Sequence, residues 1–120
     1  MDVTDQLEDR QARCLPHLLR LRMLAGLPEA PIPWLAVAEV TQATDAILAE
    51  VEAAVRAVTG GGPGCPGTGI FLGVRLSRLA AAADDAITAA WAGDFTQLRC
   101  LLRRFDTLTS AIWAVQDASR

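Results

Sequence analysis

DFTQLRCLLRRFDTLTSAIWAVQD, residues 94–117, decides the fold class of this chain. Leu98, Leu101, Phe105, Leu108, Ile112 and Val115 alternate spacings of three and four, which lays them along one side of a helix. Leu102, Trp113 and Phe95 flank that seam and widen it. Asp94 stands before it as N-cap and Gln97 follows three residues on. In this capping-box arrangement each side chain takes up one free backbone donor. So broad an apolar stripe has to be covered, and the remaining chain reads as the cover.

Immediately upstream, Leu72, Leu76, Leu79, Ala83, Ala86, Ile87 and Ala90 form the seam of a helix expected from about Ile70 to Ala92. Only Gly93 and Asp94 separate it from the last helix, so the two form an antiparallel hairpin. Small residues near the end of the first then meet Phe95, Leu98 and Phe105 of the second, which permits close packing. Before this hairpin lies GGGPGCPGTG, residues 60–69, whose glycines and prolines predict a flexible, exposed linker.

The clearest amphipathic segment runs from Pro33, a residue suited to a first helical turn, to about Thr59. Val37, Val40, Thr44, Ile47, Leu48, Val51, Val55 and Val58 share one side, with Glu39, Gln42, Asp45, Glu50, Glu52 and Arg56 on the other. Pro28, Pro31 and Pro33 force an extended connection ahead of it. A first helix, capped by Asp2 or Thr4 and stopped by Gly26, carries Val3, Leu7, Cys14, Leu18 and Leu21 on one side. Pro16 inside it removes a hydrogen bond and predicts a kink or a restart. The expected fold is therefore an all-α, four-helix, up-down-up-down bundle forming one domain over residues 1–120, its first helix kinked or broken near Pro16.

At 120 residues such a domain buries a core without disulfides or metal. Lys, Asn and Tyr are absent and all 11 basic residues are Arg, the coding bias of a GC-rich bacterial genome. A net charge of −3 gives no broad attraction to nucleic acid or anionic lipid. The polar, acidic start MDVTDQLEDRQ is unlike a secretory signal, and no uncharged apolar stretch is long enough to span a membrane. With three cysteines in such a chain, a cytoplasmic location is expected.

Catalysis needs converging groups, and few are present. His17 is the single histidine and lies beside the Cys14/Leu18 seam, as an ordinary helix residue would. One His and three dispersed Cys make no zinc pattern. Asp84 and Asp85 are adjacent and diverge by about 100° on a helix, so they share no target. No Glu-x-x-His motif serves a di-iron bundle, and the Gly-rich stretch lacks the Lys of a phosphate-binding loop. No catalytic set, metal site or cofactor is expected.

Two cysteines are candidate reactive thiols: Cys65, presented by the linker, and Cys100, beside Arg99, Arg103 and Arg104. Cys14, on the core seam, reads as an apolar filler. The arginines read as a solvated face pairing with acidic neighbours such as those of the second helix. No aromatic residues interleave them to stack nucleic-acid bases.

Trp91-Ala92-Gly93, a Trp-x-Gly turn between two helices, resembles the WXG100 family of small helical hairpins exported by type VII secretion. That resemblance implies dimerisation into a four-helix bundle and a Tyr-x-x-x-Asp/Glu export element after the second helix. Here Trp113-Ala114-Val115-Gln116-Asp117 has Trp in place of Tyr and lies inside the helix, and two further helices precede the hairpin.

Apolar residues exceed what one seam per helix requires. Past Pro16, Leu19 and Met23 point about 100–140° away from Leu18, and Leu24 points to yet another side. These three are the candidate interface of a non-catalytic interaction module (adaptor, regulatory or scaffold subunit), acting as a homodimer. In a competing arrangement Leu27 and Ile32 of the 27–33 connection fold back and bury Leu19 and Met23 within one chain. A second reading gathers Trp34, Trp91 and Trp113 around a small apolar ligand; a third is an enzyme that no motif reveals.

Overall fold

The computed structural model describes residues 3–59 and 66–118. Among them the chain forms four helices and no strand: α1 (Val3–Ala25), α2 (Pro33–Thr59), α3 (Pro66–Ala92) and α4 (Phe95–Ala118). The all-α bundle expected from the periodicities is the fold observed. Asp2 and the linker residues 60–65, Cys65 included, lie outside the described residues.

Each boundary has a local cause. α1 ends at Ala25, where the Gly26 N–H donates to the Arg22 and Met23 carbonyls and Pro28 lies two residues beyond. α2 begins with Pro33 in its first turn, and the Leu35 and Ala36 N–H groups donate to the Ile32 carbonyl. α3 begins at Pro66, four residues before the expected Ile70, so residues 66–69 of the predicted linker are helical. A proline at the first helical position loses no intrahelical bond and has a suitable φ, which explains the earlier start.

The turn between α3 and α4 satisfies its backbone groups twice over. Gly93 adopts φ +71°; its N–H donates to Ala90 at 3.2 Å, and the Asp94 N–H donates to Ala89 at 3.1 Å. These are the two bonds of a Schellman closure. The Asp94 carboxylate then accepts the Gln97 N–H at 3.1 Å, opening α4. Half of the expected capping box is therefore present, while the Asp94 N–H goes to the preceding helix instead of to the Gln97 side chain.

α1 is one helix with Pro16 in its interior, so the chain does not restart there. Both Pro16 and Ala12, whose carbonyl loses its i+4 donor, lie on the exposed side. Water can reach the orphaned carbonyl, which lowers the cost of an interior proline.

The core lies where the four seams meet. Leu7, Cys14, Leu18, Leu21, Val40, Ile47, Val51, Leu72, Leu79, Leu98, Phe105 and Ile112 are all buried in it. Ala82, Ala83, Ala86, Ala89 and Ala90 of α3 are buried beside Leu98, Leu101, Leu102 and Phe105 of α4, the small-against-large pairing expected of the hairpin. The two buried polar side chains among the described residues, Thr44 and Thr109, donate to the carbonyls one turn back, Val40 at 2.7 Å and Phe105 at 2.9 Å. Each helix packs on its sequence neighbours, α1 also rests on α4, and that last face is the thinner closure.

Candidate interaction surface

Few of the polar groups converge. Among the described residues, no cluster of three or more His, Cys, Asp or Glu is placed to hold a metal ion. Asp84 and Asp85 are both exposed. His17 is half-buried, with Nδ1 enclosed and without a hydrogen-bond partner. Cys14 is fully buried, and burial, then the nearby Glu50 charge, pushes its thiol up to about 11, so it stays protonated at neutral pH. Cys100 is exposed on α4.

Four arginines tie separate elements together, and a fifth bonds within its own helix. Arg10 and Arg13 of α1 reach Glu50 of α2 at 3.2 Å and 3.7 Å, the expected pairing with the acidic side of α2. Arg56 bonds Glu52 one turn away. Arg22 grips Asp106 across the α1–α4 face. Arg99 donates to the Leu27 carbonyl, and its guanidinium lies 4.4 Å from the Phe95 ring centroid. The start of α4 thereby holds the end of the α1 segment in place.

That anchoring brings the 26–32 connection to the same end of the bundle as the 93–94 turn. A Cβ on Gly93 would sit 3.8 Å from Pro33 Cγ. Pro31, Pro33, Ala90, Gly93, Phe95 and Leu98 line a small cavity of about 170 Å³ where the two meet.

Exposed apolar surface collects at this end. Met23 is 73% exposed, Trp91 65%, Trp34 61% and Ile32 54%, and Leu19, Leu27 and Leu35 join them. Of the large apolar side chains exposed among the described residues, only Leu15 and Val74 lie farther along the helices. The connection does not fold back over Leu19 and Met23: both are open, as are Leu27 and Ile32 themselves.

Between α1 and α2 this surface deepens into a groove of about 650 Å³. Met23, Leu24, Leu27 and Leu35 supply its apolar lining, with Arg20 on the α1 wall and Glu39 on the α2 wall. Leu19, one turn before Met23, continues the exposed stripe. Leu24, the third of the expected interface residues, is 9% exposed and packs into the core while also lining the groove. The start of α2 covers that side of α1, which a projection of α1 alone does not show.

No protein-family model matches this chain, and no characterised protein or solved structure is significantly similar to it. The Trp91-Ala92-Gly93 resemblance thus stands on the turn alone. The left-handed Gly93 accounts for its glycine without any family relation.

The three tryptophans part company. Trp113 is buried against α1 and lines a cavity of about 240 Å³ with Leu15, Leu18 and Ser110, whereas Trp34 and Trp91 stand on the surface. From the sequence, Glu39 falls on the polar side of α2 and Leu35 has no assigned face, with no indication that either borders an opening. Their role depends on where the connection places α1, and helix periodicity carries no trace of that. Among the described residues, no helix is long and apolar enough to cross a membrane.

Proposed function

We propose that this protein is a non-catalytic helical interaction module, an adaptor or regulatory subunit, that docks an amphipathic helix in the groove between α1 and α2. The observation that carries this reading is the groove itself, an apolar trough of about 650 Å³ bordered by Arg20 and Glu39 and continuous with Leu19 and Met23. Helix-in-groove recognition uses this chemistry, with apolar anchors on the floor and charges at the rim. Met23 suits the role, since its flexible thioether fills irregular gaps. The reading includes an up-down-up-down order of the helices, supported by the contacts of Arg10 with Glu50 and Arg22 with Asp106. A bend at Pro16 belongs to it as well, tilting the groove-lining end of α1 relative to its first half. Capture of partners from the native host by wild-type protein and by Leu19→Asp/Met23→Asp tests it. Partners retained by wild type and lost by the variant support the docking role; identical captures refute it.

The α1–α4 cavity favours a second reading. Trp113 Nε1 is buried without a hydrogen-bond partner and belongs to the lining of that space. A small apolar molecule bearing one hydrogen-bond acceptor would satisfy it. Native mass spectrometry of protein purified without denaturation would reveal a retained ligand, and Trp113→Phe should release it.

A further inference from the structure

The two walls of the groove carry opposite charges. Arg20 stands on the α1 wall and Glu39 on the α2 wall, and both are exposed. Neither takes part in an ion pair among the described residues, where Arg10, Arg13, Arg22 and Arg56 all do. A groove with one basic and one acidic wall is its own complement. A two-fold rotation across it lays α1 of one copy over α2 of the other, so that Arg20 faces Glu39 of the partner subunit and the symmetry-related pair forms at once.

We infer that the occupant of the groove is a second copy of this chain, seated by two-fold symmetry with Arg20 and Glu39 paired across the interface. The inference rests on the docking reading above and names its partner. An unrelated helix would have to bring an acid and a base at one particular spacing; a second copy brings both by construction. The apolar part is self-complementary too, because Leu19 and Met23 project from the copy that supplies the groove. From Ala12 to Ala25 the exposed side of α1 is about 20 Å long at 1.5 Å per residue. Across two helix widths, about 20 Å, that is a patch of about 400 Å² per partner, the size of a weak, reversible interface. In so small an interface the two charge pairs contribute visibly to affinity and fix the register.

Sedimentation velocity over a concentration series tests this with wild type, Arg20→Glu, Glu39→Arg, the double reversal and Met23→Asp, circular dichroism confirming that each variant keeps its helices. Wild type should dimerise at tens of micromolar. Each single reversal breaks both symmetry-related pairs and should weaken the dimer about tenfold. The double reversal restores opposite charges and should return to within about threefold of wild type. A wild type that stays monomeric, single reversals without effect, or a double reversal as weak as the singles would each overturn the two-fold pairing. Met23→Asp separates this failure from that of the docking role. If it abolishes dimerisation or partner capture while the reversals do nothing, the groove still docks and only the pairing is wrong. If it changes neither, the docking reading falls as well.

Discussion

The Arg22 guanidinium donates to both oxygens of the Asp106 carboxylate, at 2.6 Å and 2.9 Å, and so joins α1 to α4 across 84 residues of chain. This is the bidentate geometry in which arginine binds carboxylates most specifically. It lies on the thinner face of the bundle, where apolar contact alone closes less surface. Arg22 is about half exposed and Asp106 about a quarter, so water screens the pair. A double-mutant cycle of Arg22→Ala and Asp106→Ala should give a coupling of about 0.5–1 kcal/mol. That coupling should shrink in concentrated salt. A coupling of zero at low salt would mean that the two side chains separate in solution.

Truncation in the α3–α4 hairpin should be far more costly. Phe105 is completely enclosed and Leu101 nearly so. Phe105→Ala should lose about 3–5 kcal/mol and Leu101→Ala about 2–5 kcal/mol in chemical denaturation. Losses under about 1 kcal/mol for both would show that the seam of α4 does not face the core.

Glycine-to-alanine changes at two positions should have opposite signs. At Gly93 the added Cβ meets nothing closer than 3.8 Å, but φ is +71°, so Gly93→Ala should cost about 1–2 kcal/mol through the backbone alone. Gly73, inside α3, has nothing within 4 Å of the new Cβ, and Gly73→Ala should stabilise by about 0.5–1 kcal/mol. Thermal melts of the two variants that shift in the same direction would contradict this account.

Cys14 and Cys100 should differ sharply towards a thiol reagent. Cys100 is exposed and should react in the native protein, while Cys14 should react only after unfolding. Burial raises the folded-state value of Cys14 above that of an unfolded thiol, so the native state holds its proton more tightly. Stability should therefore be unaffected by this group below about pH 9 and fall as pH rises from about 9 towards about 11. Denaturant titrations of Cys14→Ala should lack that alkaline decline; an identical decline in both proteins would assign it to other groups.

Much of the fold was legible because its signals are local. Pro33 in a first turn and the Gly93-Asp94 pair each act through φ, ψ and one or two hydrogen bonds, and both boundaries stand where the sequence implies. The small-residue run before Trp91 and the Leu98/Phe105 seam required only the period of a helix. Pro66 marks the limit of such reading: the surrounding glycines suggest a linker, yet the proline begins α3.

By itself, then, the sequence determined four helices, most of their boundaries and the stripe each one buries, because propensity, capping and periodicity are properties of a helix about its own axis. Only the tertiary structure decided which neighbour covers which side. It turned Leu24 inward while leaving Leu19 and Met23 in the open, enclosed Trp113 while exposing Trp34 and Trp91, and gave Asp106 to Arg22. The groove between Arg20 and Glu39 belongs to this second kind. Its walls come from two helices, and their separation is set by the 26–32 connection and by Arg99 holding the Leu27 carbonyl. These are long-range contacts, and no repeat along a single helix encodes them.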